Sequence, residues 1–165
     1  MSDNQGRGDR GIDMGRSTQG APLNVEDLYG FLEGTWQFER KVHDTLLGQE
    51  GDCIGVAQFY ANGNTLNYEE EGELTMGEIV VSTERKYLYK FIAPSMAEVR
   101  FSDGRFFHVL DLTKGMVRVE HQCGDDTYHG VYRVVEPRMW LSVWRIIGPR
   151  KSQVITTRYL RVTAN

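Results

Sequence analysis

The chain has 165 residues, of which 40% are hydrophobic and 25% charged, a size and composition that fit one globular domain with a single core. A formal net charge of -4 argues against a generally basic nucleic-acid binder. No apolar run is long enough to span a membrane or to act as an N-terminal signal, so a cytoplasmic location is expected, with Cys53 and Cys123 as two free thiols.

Residues 1–22 carry five glycines, interspersed arginines and aspartates, and almost no large apolar side chains. Such a segment buries too little surface to offset the entropy of ordering it, so a disordered tail over 1–22 is expected ahead of a single domain over 23–165. The Arg7-Gly-Asp9 triplet within it reads as linker chemistry. Asn24 is positioned to cap a short helix in which Val25, Leu28, Phe31 and Leu32 recur at helical spacing. Gly34 then turns the chain into the first strand, where Trp36, Phe38 and Arg40 share one side.

From there the chain reads as strands and tight turns. Alternation marks strands over 52–61 and 66–76, separated by the Asn62-Gly63 turn signal. Segments 78–82 and 84–92 follow, then Pro94 breaks the run. Strands over 98–101 and 105–112 flank Ser102-Asp-Gly104, and further strands are expected over 116–121, 127–135, 139–147 and 153–162. About nine or ten short strands without a long amphipathic helix predict an all-β fold. Closure into an antiparallel up-and-down barrel protects the strand edges; a two-sheet sandwich is the structural alternative. The chain has no P-loop, dinucleotide fingerprint, nucleophile elbow or HExxH motif.

The opening Gly34-Thr-Trp36 after a short helical segment resembles the first motif of lipocalins and their calycin relatives. That resemblance implies a lipocalin-like barrel with a basic residue near the chain end packed across the first-strand tryptophan, Arg158 being preferred here and Arg161 second. A longer resemblance, over most of residues 29–162, is to a small bacterial family, DUF6314. It is carried by Phe31-Leu-Glu-Gly-Thr-Trp36, Tyr68-Glu-Glu-Glu-Gly72, the stretch from Val99 to His108, His121-Gln-Cys-Gly-Asp-Asp-Thr-Tyr128 and Trp144-Arg-Ile-Ile-Gly-Pro149. The family name carries no chemistry, but it implies the same barrel.

Function is read from polar residues embedded in aromatic strands. Arg40, Tyr68, Tyr89, Arg100, His108, Tyr128, Trp144 and Arg158 are the candidate ligand contacts. A buried Arg–Glu pair orients a polar group on an otherwise apolar ligand. His108 shares a strand face with Phe106 and Leu110 under simple alternation, so it faces inward if Phe106 does. His121 and Cys123, two positions apart, are too few for a structural zinc site. No metal or cofactor is expected. Haem is a minority reading, because none of the four histidines follows residue 129 and no CxxCH motif is present.

The leading expectation is a barrel that binds a small apolar or amphipathic molecule carrying a polar group. A barrel enzyme, such as an isomerase, cyclase or dehydratase, is the alternative, with His108 or His121 exchanging protons with Glu69 or Glu71. A third reading is a protein-interaction module, with Trp140 and Trp144 either in the core or in a partner groove. Expected partners exclude nucleic acid and include a possible homodimer.

Overall fold

The computed structural model describes residues 20–163. A short helix, α1 (Leu28–Leu32), precedes ten strands. They are β1 (Gly34–Asp44), β2 (Gln49–Asn62), β3 (Thr65–Met76), β4 (Ile79–Ala93), β5 (Met96–Phe101), β6 (Phe106–Asp111), β7 (Met116–Cys123), β8 (Asp126–Glu136), β9 (Met139–Gly148) and β10 (Lys151–Arg161). The sheet order is β6-β5-β4-β3-β2-β1-β10-β9-β8-β7, with every pair antiparallel. The result is a nearly closed up-and-down barrel.

Among the described residues no backbone ladder joins β6 to β7. Side chains and the N-terminal segment close this seam instead. His121 Nδ1 donates to the Phe107 carbonyl at 3.0 Å. At the helix end, the Val25 amide donates to the Leu112 carbonyl (3.0 Å) and the Leu23 amide to the Val134 carbonyl (3.1 Å). The bonds to Phe107 and Leu112 satisfy carbonyls on the β6 side of the seam, and the bond from Leu23 meets β8 just beyond the start of β7.

They also shorten the helix relative to the sequence expectation. Val25 is held in an extended contact with Leu112, so Asn24 does not cap it. Asp27 is the cap, its Oδ1 accepting from the Gly30 amide at 2.9 Å. The segments expected as two strands over 78–82 and 84–92 form one strand, β4, because it pairs with β3 continuously from Ile79 to Lys90. The tail expected over 1–22 lies, for residues 1–19, outside the described residues.

The barrel interior is divided along its axis. Leu28, Leu32, Trp36, Phe59, Leu66, Phe91, Leu110, Leu112 and Val134 fill the helix end as an apolar core. Trp36 lies within it with no exposed surface, and its Nε1 donates to the Leu32 carbonyl at 2.9 Å. The cation across its ring is Arg161, at 4.5 Å from the centroid, not Arg158. Register explains this correction: Trp36 pairs with Arg161, whereas Arg158 pairs with Glu39 on the outer face and forms an ion pair with it at 2.7 Å. Gly34, at φ 119°, makes the turn between helix and strand in a region that L side chains rarely adopt. An added Cβ there stands only 2.9 Å from the Arg161 guanidinium.

Candidate functional site

Above the packed core the barrel holds a cavity of about 380 Å³. Its walls are mainly aromatic. Tyr68, Tyr87, Tyr89, Phe101, Phe107, Tyr128, Tyr132, Trp140, Trp144 and Tyr159 all line it. Phe107 is stacked between Phe101 (4.7 Å, 12°) and Trp144 (5.2 Å, 26°), and Trp140 lies against Tyr159 at 3.8 Å and 7°. Trp144 gains its place because residue 130, opposite it on β8, is glycine: a Cβ there meets the indole at 2.7 Å. Cys123, Arg85 and Arg105 are exposed lining residues at the hairpin end, which is the mouth.

A buried ion pair crosses the chamber. Arg40 Nη1 and Nη2 donate to Glu70 Oε1 and Oε2 at 2.7 and 2.9 Å, the bidentate geometry that suits a guanidinium and a carboxylate. Arg40 Nε donates to Thr157 Oγ1 at 2.9 Å, and the Tyr68 hydroxyl donates to Glu70 Oε2. Burial alone opposes both charges. Burial is the largest single influence on Arg40 and pulls its pKa down, yet the bond to Glu70 and the charges of Tyr159, Glu70 and Tyr68 together outweigh it and leave the pKa raised. Burial pushes the Glu70 pKa up, yet the Arg40 bond and charge hold the carboxyl below its ordinary range. Burial keeps the phenols of Tyr68, Tyr89 and Tyr132 well above their ordinary pKa.

The expected acidic partners Glu69 and Glu71 face outward, Glu69 toward Lys86 at 3.7 Å. Strand alternation is the reason. Tyr68 points in, so Glu70 does too and its two neighbours point out. That signal was present in the spacing of Tyr68 and Glu70. The proton-transfer set of His108, His121, Glu69 and Glu71 is therefore not gathered in one chamber.

His108 is buried, at 3% exposure, but does not line the cavity. A register shift between Val99 and Arg100 leaves Phe107 as the extra residue of β6. Phe106 consequently points outward, at 49% exposure, while Phe107 and His108 both turn inward. This overturns the face shared by Phe106 and His108. Phe107 and Trp144 pack against the imidazole at 4.7 and 5.6 Å, and His108 Nε2 lies 3.2 Å from the Tyr132 hydroxyl. His108 Nδ1 makes no hydrogen bond of standard geometry.

Burial lowers the His108 pKa from 6.5 to about 4, the Val109 backbone opposing that shift only in part. The unfolded chain thus takes up a proton near pH 6.5 that the folded chain refuses until about pH 4. Stability is full above the unfolded pKa and declines as pH falls toward the folded one, by about 1.4 kcal/mol per unit. Urea unfolding at about pH 7 and about pH 4.5 should show a loss roughly 2 kcal/mol larger for the native chain than for His108→Gln. Equal acid losses in the two proteins would remove this role.

Of the other expected ligand contacts, Arg40, Tyr68, Tyr89, Tyr128 and Trp144 line the cavity. Arg100 and Arg158 do not. Arg100 is tied to Glu98 at 2.6 Å and to the Gly104 carbonyl at 2.9 Å, and Arg158 is held by Glu39 outside the barrel. Trp140 and Trp144 face the interior rather than a partner groove. His121 lines the cavity, and its Nδ1–H is committed to the Phe107 carbonyl. Sequence reasoning missed Glu70, Arg85, Phe107, Tyr132, Lys151 and Tyr159 as lining residues. Among the described residues, no three His, Cys, Asp or Glu side chains form a group that could hold a metal ion, and no helix is long and apolar enough to cross a membrane.

The fold has counterparts among solved structures. The S-type phycobiliprotein lyase CPES from Guillardia theta superposes with a TM-score of 0.61 at 8% identity, covering 90% of this chain and 97% of that one. A DUF3598 protein of unknown function from Nostoc punctiforme gives 0.54 at 11% identity, covering 86% of this chain and 50% of that one. The redesigned barrel mFAP1, bound to DFHBI, gives 0.42 at 13% identity, covering 80% and 96%. For the first two, at 8% and 11% identity, the likeness is one of fold. No curated protein matches the sequence. Residues 32–161 match the model of a family of unknown function, DUF6314, and the chain belongs to that family.

Proposed function

We propose that the barrel binds a small amphipathic molecule, its apolar body against the aromatic walls and a polar group turned toward hydrogen-bonding side chains. The observation that carries this reading is the division of the interior. The helix end of the barrel is packed with apolar side chains, whereas the region beyond it keeps about 380 Å³ open between aromatic walls. That volume falls in the range of roughly 300–1,000 Å³ usual for small-molecule sites. The flat faces of Trp144, Phe107 and Tyr132 favour a flat ligand body. The Arg40–Glu70 pair, fixed by Thr157 and Tyr68, is a preorganised polar element within reach of such a body.

The test uses N-phenyl-1-naphthylamine, a flat apolar dye that fluoresces when removed from water. Saturable enhancement with the native chain is expected. Ser142 is buried and lines the cavity, so Ser142→Leu places a larger side chain in that space. The variant should bind the dye at least about tenfold more weakly while melting within a few degrees of the native chain. No saturable binding by the native chain, or binding indifferent to Ser142→Leu, would overturn the reading.

A further inference from the structure

We infer that the ligand is an organic anion, held with its acidic group at the cavity mouth by Lys151 and Arg85. This rests on the binding reading above and deepens it by assigning the ligand's charge. The cavity lining contains four permanent cations, Arg40, Arg85, Arg105 and Lys151, against one carboxylate, Glu70. The chain as a whole has the opposite sign, at -4. The sequence's acidic excess is thus sorted away from the chamber. In β3, Glu69, Glu71 and Glu73 alternate outward, and only Glu70 turns in.

The cations differ in how far they are already satisfied. Arg40 is bound through both terminal nitrogens by Glu70 and is neutralised within the wall. Arg105 is paired with Asp103 at 2.7 Å in an exposed turn. Among the described residues Arg85 reaches only the Glu70 oxygen that Arg40 already occupies, and at a longer 3.6 Å. Lys151 has no carboxylate within ion-pair distance among the described residues. Its Nζ lies 3.3 Å from the Tyr128 hydroxyl and 5.5 Å from the centre of that ring. Both residues stand on the interior face of their strands: Arg85 is in step with Tyr87 and Tyr89, and Lys151 with Gln153 and Ile155.

A charged side chain on an outer face is ordinary, because water solvates it there. Two incompletely paired cations on the inner face of an aromatic cavity make a field that concentrates anions at its mouth. The chemistry that fits is a flat aromatic or conjugated body bearing a carboxylate or similar acid. The body lies on the aromatic walls, and the acid accepts hydrogen bonds from Lys151 or Arg85. A neutral molecule of the same shape leaves those cations uncompensated and forgoes this part of the affinity.

The experiment compares two dyes with one aromatic skeleton, neutral N-phenyl-1-naphthylamine and anionic 1-anilinonaphthalene-8-sulfonate, titrated into the full chain. The sulfonate should bind about tenfold more tightly or better, and Lys151→Met should remove most of that preference by weakening the sulfonate far more than the neutral dye. Arg85→Gln should act in the same direction. Raising salt from about 50 mM to about 500 mM should weaken the sulfonate and spare the neutral dye. Ser142→Leu should weaken both dyes, which separates the cavity from adventitious surface binding. Equal affinities for the two dyes, or a preference that survives both Lys151→Met and Arg85→Gln, would overturn the assignment of charge while leaving the binding reading intact. Failure of both dyes to bind would overturn the binding reading and the charge assignment with it.

Discussion

Replacing Glu70 by Ala should destabilise the protein by about 3–5 kcal/mol, because it leaves the Arg40 guanidinium buried without its counter-charge. Arg40 is 5% exposed and loses two hydrogen bonds at once. It cannot escape by releasing a proton, since a guanidinium stays charged at any accessible pH. Arg40→Met should cost less. The stranded Glu70 keeps its bond from Tyr68 and its contact with Arg85, and it can take up a proton. The double variant Arg40→Met/Glu70→Leu removes both charges and should recover much of the Glu70→Ala loss, as apolar replacements of buried pairs often do. Urea unfolding of the four proteins at neutral pH measures this. A Glu70→Ala loss under about 1 kcal/mol, or a double variant worse than both singles, would sink the account. The pair also sets an acid limit. The folded carboxyl titrates below its ordinary range, so its stabilisation is present above the unfolded carboxyl pKa and disappears as pH falls through the lower folded value.

Trp36→Ala should cost about 3–5 kcal/mol, the usual range for deleting a fully buried large aromatic. The ring is fully buried, stands edge-on to Trp140 at 6.1 Å, and carries Arg161 on its face. Arg161 in turn donates to the carbonyls of Glu33 and Phe31, so one cation ties the last strand, the first strand and the end of α1 together. Two milder variants separate these contributions. Trp36→Phe keeps a ring but strands the Leu32 carbonyl, and Arg161→Leu keeps the indole but frees the carbonyls at the helix end. Each should cost less than Trp36→Ala, and Arg161→Leu should raise amide exchange at residues 28–33 more than at the barrel centre. Uniform exchange would show that Arg161 does not hold the helix. A Trp36→Ala loss below about 1 kcal/mol would contradict the packing described.

The sequence by itself determined an all-β fold and favoured a barrel over a two-sheet sandwich. Period-two alternation, Asn62-Gly63 and Ser102-Asp-Gly104 turns, and the absence of long amphipathic segments leave few other solutions, since edges of so many strands must be covered. It also placed Trp36, Phe38 and Arg40 on one face, because alternation within an uninterrupted strand is local. It selected Arg40, Tyr68, Tyr89, Tyr128 and Trp144, which line the cavity.

What only the tertiary structure decided is which of two faces looks inward and who meets whom across the barrel. Either face of the Glu69-Glu-Glu71 block reads alike until Tyr68 is seen to point in and Arg40, thirty residues earlier, is seen to need a partner. One extra residue at Phe107 reverses the parity on which the placement of Phe106 and His108 was read, and a bulge of that kind has no fixed local signature. Arg158 and Arg161 differ by three positions and therefore lie on opposite faces, so the register of β10 on β1 alone chose the cation that covers Trp36. The mouth chemistry of Arg85 and Lys151, sixty-six residues apart, exists only because curling the sheet brings β4 and β10 around one cavity. Contacts across a closed barrel depend on register and closure, which are properties of the whole sheet rather than of any stretch of the chain.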